Sequence, residues 1–294
     1  MRLLLAVLLA PELLPAQIIA ARPVEAARTG VFQDPNIRES SGVILSRRFA
    51  RVLYTINDSD NDPVVFAFDS SGRSIGRWLV PGVHNRDWEA ISSGPCPQGM
   101  CLYLGDLGDN QEHHPTVTIY RVREPERLDL FRGVSKGARA PGLDSLTFRY
   151  PDGPHDAEAM WVDRFGIVFI VTKGRTGGIR LFRLSASDFG TGRAATAQLV
   201  QMVPITPDQR IGRWVTDAAL ATDGRRVAIR TYTELYLFPV LPLGRLGTAT
   251  VCNLAGLEPQ GEGVTWLDDR RLLLTSEAGP SGEPAPIHVV RCGA

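Results

Sequence analysis

The sequence predicts an all-β chain: a single five-bladed β-propeller of four-stranded antiparallel blades, closed by an N-terminal strand that completes the last blade. Three observations carry this prediction. First, a short phrase recurs along the chain as Glu39-Ser-Ser41-Gly-Val, Asp87-Trp-Glu89-Ala-Ile, Asp156-Ala-Glu158-Ala-Met, Thr216-Asp-Ala218-Ala-Leu and Gln260-Gly-Glu262-Gly-Val, at intervals of 44 to 69 residues. Repetition on that scale belongs to propellers, solenoids and arrays. Second, each phrase leads into short β-branched and aromatic runs separated by Gly, Asp and Pro turns, which reads as an antiparallel meander. Third, the fifth unit ends before its outermost strand, while Thr29-Gly-Val-Phe-Gln33 stands unassigned ahead of the first. Joining the two closes a ring and removes the exposed sheet edges.

The first unit runs through Gly42-Val-Ile-Leu-Ser46, Arg51–Ile56, Val64–Phe68 and Ser74–Val80. The second offers Ala90-Ile-Ser, Cys101–Leu104 and Val117–Val122, then a Pro/Arg/Gly-rich excursion over 123–142 and Ser145–Tyr150. The third has Ala159–Val162, Ile167–Val171, Ile179–Leu184 and Ala197–Val203, and the fourth Ala219–Ala221, Arg226–Ile229, Glu234–Phe238 and Thr248–Cys252. The fifth has Val264–Leu267, Leu272–Thr275 and Ile287–Arg291. No segment after residue 30 carries a helical period, and residues 29–294 are read as one domain. The inner strands start near 41, 89, 158, 218 and 262.

Composition limits the partners. Of 294 residues, 44% are hydrophobic and 22% charged, enough to bury a sizeable core. Lys plus Arg equal Asp plus Glu at 32 each and are scattered, so the basic footprint of a nucleic-acid binder is missing. Residues 1–26 read as a signal peptide: Arg2 is followed by an apolar run to Ala10 that Pro11, Glu12 and Pro15 interrupt, with small residues for cleavage within 16–27. The run is too short to span a bilayer, so the mature protein is expected to be secreted or periplasmic, monomeric and without a membrane span. Four cysteines suit that compartment. Cys96 and Cys101 flank a turn and are expected to form a hairpin disulfide; Cys252 and Cys292 are left over.

In such a ring the phrase at the start of each inner strand lies beside the loop that ends the next strand. Ser41, Glu89, Glu158 and Glu262 then surround the axis, and converging carboxylates repel unless something positive sits between them. A hard cation with oxygen ligands meets that need, and Ca²⁺ tolerates irregular geometry. The alternative is that each Glu accepts backbone N–H bonds from its neighbour. The neighbouring loops add Asp58, Asp106 and Asp109 to position or deprotonate water. Lys173, Arg175 and Arg230, with Glu277, line the other side of the mouth and suit a small anionic ligand.

At these phrases the chain resembles the calcium-activated nucleotidases, five-bladed apyrases whose inner strands carry a Ser, Glu, Glu, Ser, Glu ring around calcium. The matching positions here are Ser41, Glu89, Glu158, Ala218 and Glu262, and Ile56-Asn57-Asp58-Ser59, Asp87-Trp88-Glu89 and Leu102–Asp106 resemble other elements of that family. Ala218 departs from the pattern, with Asp217 or Thr216 as substitutes. The chain equally resembles exported bacterial propellers of the phytase-like esterase and SdiA-regulated types. The resemblance implies a calcium-dependent hydrolase of phosphate esters or anhydrides. Two other readings stand beside it: a non-catalytic propeller binding a protein or glycan, and a lactone or ester hydrolase.

Overall fold

The computed structural model describes residues 21–127, 142–210, 212–279 and 282–293, so most of the expected signal segment and part of the 123–142 excursion lie outside the described residues. About half of the chain is strand and very little is helical. The chain opens with β1 (Arg22–Val31), followed by a meander of β2 (Ser40–Leu45), β3 (Leu53–Asn57), β4 (Val64–Phe68) and β5 (Ser74–Leu79). The second meander is β6 (Trp88–Cys96), β7 (Gly99–Asp106), β8 (Val117–Arg123) and β9 (Asp144–Arg149). The third is β10 (Ala157–Val162), β11 (Val168–Thr172) and β12 (Arg180–Leu184), then the two-residue β13 (Ala195–Thr196) and β14 (Gln198–Met202). β15 (Val215–Leu220), β16 (Arg226–Thr231), β17 (Glu234–Pro239) and β18 (Thr250–Asn253) follow. The last run is β19 (Gly261–Trp266), β20 (Leu272–Ser276) and β21 (Pro286–Cys292).

Hydrogen bonding joins these strands into four sheets where five separate blades were expected. Two sheets have four strands (β2 to β5, and β10-β11-β12-β14), and β13 adds a fifth strand to the sheet of β6 to β9. The fourth sheet has eight strands, β15-β16-β17-β18-β1-β21-β20-β19. Its weld is β1. Arg22 and Pro23 pair in parallel with Cys252 and Asn253, and Val24–Val31 pair antiparallel with β21. The strand that joins the C-terminal meander therefore begins at Arg22, earlier than the expected Thr29. Both cysteine pairs are bonded, Cys96–Cys101 across the β6–β7 turn and Cys252–Cys292 between the strands that flank β1.

Apolar residues fill the spaces between successive meanders. Tyr54, Ile56 and Val65 share one buried cluster with Ile91 and Leu104, Tyr103 shares another with Met160 and Phe182, and Val171 a third with Ile229. A fourth cluster holds Ala228 and Leu274, and a fifth brings Leu273 and Ile287 together with Val43 and Phe66. The core is thus a ring of intersheet seams, each fully buried Leu, Ile or Phe contributing about 1.5–3 kcal/mol. β10 and β19 are buried along their whole length, whereas the outlying β1 and β14 are mostly exposed. Among the described residues no helix is long and apolar enough to cross a membrane.

Candidate functional site

Each inner strand carries a β-bulge near its first residues. Ser40 pairs with Asn57 and Gly42 with Ile56, so Ser41 is the extra residue; Glu89, Glu158 and Glu262 hold the same place in β6, β10 and β19. In β15 the pairs are Val215 with Thr231 and Asp217 with Arg230, which makes Thr216 the bulged residue. The fourth ring position is therefore Thr216 and not Ala218. A bulge frees a side chain from the pleat and re-aims it, and bulges recur beside active sites. The residue after the bulge is Gly42, Ala90, Ala159 or Gly263 in four strands. At Gly263 there is no room for a side chain: a Cβ there would lie 2.2 Å from Thr275 Oγ1 and 3.1 Å from Val43 N. In the fourth strand it is Asp217, whose Oδ2 accepts from Val264 N at 2.8 Å and Val43 N at 3.4 Å. This fully buried carboxyl, which burial raises well above its usual pKa, ties three inner strands together. Thr216 Oγ1 donates to Glu262 O at 3.0 Å.

The four expected metal-ring residues are all buried but do not share one point. Ser41 Oγ donates to Glu89 Oε2 at 2.7 Å. Glu158 is ion-paired with Lys173, both side chains less than a tenth exposed. Glu262 accepts from Gln260 Nε2 at 3.1 Å and lies beside Tyr232. Among the described residues, the acids close enough to share a cation are Asp58, Asp87 and Glu89, one oxygen from each within 4.8 Å of the others. The sequence named Asp58 and Glu89 for different roles and gave Asp87 none. Its signal was the Asp87-x-Glu89 spacing, where the bulge brings both acids to one place.

Electrostatics at this mouth run in one direction. Burial raises the Glu89 carboxyl well above its normal range, with Asp58 adding to the effect. Burial also lifts Asp87 to about 7, helped by Asp58 and Asp156, and raises Asp58, whose carboxyl bonds to that of Asp87. Across the mouth Glu277 is pushed to about 7 and Glu262 to about 8, burial leading in each, then Asp58 for Glu277 and Glu277 for Glu262. Lys173 opposes these shifts at Asp58, Glu89, Glu262 and Glu277 alike. Its ammonium is a resident counter-charge for the ring.

The other assigned residues divide sharply. Asp106 is 5% exposed and accepts from Asp87 N at 2.8 Å, so it fixes the backbone of the mouth instead of facing water. Asp109 caps its own turn, accepting from His113 N at 3.0 Å and His114 N at 2.7 Å. Of the expected anion clamp, Lys173 is engaged by Glu158. Arg175 Nε donates to Asp156 Oδ2 at 3.0 Å, and its guanidinium lies 4.8 Å from the Trp214 ring centroid. Arg230 is fully buried, donating to Gly263 O at 2.8 Å and Thr275 O at 3.0 Å and paired with Glu258. It is a tie beneath the mouth, out of reach of a ligand. Glu277 remains half-buried at the mouth.

No protein-family model matches the chain, and no curated protein matches it in sequence. Among solved structures it is similar to the PQQ-bound form of aldose sugar dehydrogenase from Streptomyces coelicolor: 12% identity over 91% of this chain and 98% of that one, TM-score 0.52. A putative gluconolactonase is similar at 12% identity over 91% and 92% of the two chains, with a TM-score of 0.47. A glucose dehydrogenase is similar at 12% identity over 92% and 99%, also with a TM-score of 0.47. The fold is β-propeller-like. That is what the first likeness shows, and such a fold hosts many chemistries. The resemblance to calcium-activated nucleotidases is not among the things these likenesses show.

Proposed function

We propose that the chain is an exported five-bladed propeller with a divalent-cation site at the mouth of its axial channel, where it hydrolyses a carboxylic ester or lactone. The convergence of Asp58, Asp87 and Glu89 within 4.8 Å carries the reading. The donors are hard oxygens of unequal orientation, which fits Ca²⁺ better than a thiolate- or imidazole-seeking metal. Three carboxyls in a site that penalises their charge become anions at lower pH when a cation joins them. A cation bound there would supply Lewis acidity. Ser41 orients Glu89 through its 2.7 Å bond, and Asp106 orients Asp87 through the backbone. Glu277, near 7, is poised to accept a proton from water around neutral pH and to return it to the departing oxygen.

An ester is preferred to a phosphate because Lys173, Arg175 and Arg230 already have partners, while Glu39, Asp58, Asp87 and Glu277 would repel a phosphoryl dianion. The blade count of five is supported by the contacts of β2, β6, β10, β15 and β19, each with the next and the last with the first. Export is supported by the two disulfides. Leader cleavage on the N-terminal side of Arg22 keeps β1 whole, whereas cleavage at Ala26-Ala27 would remove its first pairs with β21.

The test is hydrolysis of a panel of lactones, carboxylic esters and phosphate esters, with and without Ca²⁺, by the parent and Asp87→Asn proteins. The reading requires cation-dependent ester or lactone turnover that Asp87→Asn abolishes. Phosphate release alone would restore the nucleotidase-like reading, and stabilisation by Ca²⁺ without turnover would leave a binding propeller.

A further inference from the structure

Beside the mouth lies a second cleft, of about 340 Å³, at the small end of the range of ligand sites. One wall is the chain entering β2, with Asn36 and Arg38; another is the loop after β3, with Asn57, Asn61 and Asp62. The floor is the β4–β5 ladder, where Phe66 pairs with Arg77 and Val64 with Leu79.

Three features set this cleft apart. Arg38 and Arg77 are exposed, and among the described residues neither guanidinium has an ion-pair partner. That contrasts with the paired Lys173, Arg175 and Arg230. Next, Asn57 is 4% exposed and donates through Nδ2 to Asn36 O at 2.7 Å, yet its Oδ1 is buried with no hydrogen-bond partner. A buried acceptor without a donor costs about 1–3 kcal/mol, so a ligand hydroxyl there gains what the free protein lacks. Finally, the loop is fixed in place. Asn61 Nδ2 donates to Glu39 Oε2 at 2.8 Å and Ser59 O at 3.0 Å, and Asn85 Nδ2 to Asp58 O at 2.8 Å.

We propose that this cleft binds a small polyhydroxylated oxyanion, a sugar acid or a sugar phosphate. Arg38 and Arg77 take the anionic group, and the side chains of Asn57 and Asp62 accept from ring hydroxyls. Guanidinium forks match planar carboxylates and phosphates, and charge-assisted bonds of that kind are about twice as strong as neutral ones. The cleft adjoins the acidic mouth through the Asn57–Asp58 step. Occupancy requires neither the cation nor turnover, so the inference goes beyond the hydrolase reading and stands or falls separately.

The test is isothermal titration of the full chain in EDTA with galacturonate, glucose 6-phosphate and neutral galactose. Saturable binding of either anion, with none for galactose, is expected; whichever anion binds identifies the carboxylate or the phosphate source. Arg38→Gln and Arg77→Gln alter exposed side chains, and their melting temperatures should match the parent's. Each should weaken binding on the order of tenfold, and added salt should weaken it too. The proposal is overturned if neither anion binds, if galactose binds as well, or if the double variant retains parent affinity.

Discussion

Replacing Lys173 by Met tests whether the axial ring is balanced by the chain's own charge. The ammonium is paired with Glu158 where the two side chains are 8% and 3% exposed. Met preserves much of the apolar stem and removes only the charge, so packing loss is small. Breaking a buried pair from one side leaves the other charge without compensation, which costs about 3–5 kcal/mol. That is a large share of the 5–15 kcal/mol typical of a folded domain, so the urea midpoint should fall steeply at constant slope. Lys173→Met/Glu158→Leu removes both charges and should recover most of the loss. The single variant should also respond more strongly to Ca²⁺, because Lys173 is a resident positive charge acting on Asp58, Glu89, Glu262 and Glu277 and its removal takes away the repulsion an incoming cation meets there. A single variant within about 1 kcal/mol of the parent, or a double variant no better than the single, would refute this account.

Without divalent cations, stability should fall as pH rises. Asp87 and Glu277 near 7 and Glu262 near 8 lie above their unfolded values, so the native state binds more protons from about pH 4 upward. Their contribution is therefore present in acid and lost as pH rises through 7 to 8; saturating Ca²⁺ should flatten the slope, and a melting temperature that climbs from pH 5 to 8 in EDTA contradicts it. Asp217→Ala should cost about 2–5 kcal/mol by orphaning Val264 N–H and Val43 N–H, while Asp217→Asn, which keeps one acceptor, should cost less than half of that; amide exchange at both residues reports the difference. Loop-closure entropy puts the Cys252–Cys292 bond, whose partners are 40 apart in sequence, at about 4 kcal/mol. It puts Cys96–Cys101, 5 apart, at about 2 kcal/mol, so thermal unfolding of the two Cys→Ser double variants should rank them in that order.

Strand positions and their meander order were legible because period and turn chemistry are local properties. The fourth ring position was misplaced for an equally physical reason. Aligning on the apolar residue that follows puts Ala218 beside Glu89, yet the pairing of Asp217 with Arg230 makes Thr216 the extra residue. A two-residue slip leaves the pleat phase unchanged, so hydrophobic pattern alone cannot detect it. Lys173, Arg175 and Arg230 show a second limit. Lys173 and Arg175 follow the end of β11 and Arg230 lies near the end of β16, and sequence shows their charge but not Glu158, Asp156 and Glu258, the partners that absorb it. Arg38 and Arg77 lie outside any recurring phrase. Their approach depends on the Phe66–Arg77 pairing, which no spacing rule exposes.

The bulges explain how near-identical phrases give unlike environments. In a regular strand a side chain's direction is set by the pleat, so five equivalent residues would point alike and a ring of acids would be symmetric. An extra residue relaxes that constraint at Ser41, Glu89, Glu158, Thr216 and Glu262. Each can then turn to whatever its neighbours provide. Glu89 faces Asp58 and Asp87, Glu158 faces Lys173, and Glu262 faces Gln260 and Tyr232, while the two hydroxyl residues act as donors to Glu89 and to backbone carbonyls. Asp217 fills a place that glycine or alanine holds in the other inner strands, and its bonds hold β15 to β2 and β19 whatever the ring residues do. Holding the ring and varying its chemistry are thus assigned to adjacent residues, so the acids at the mouth can carry raised pKa values without loosening the strands that present them.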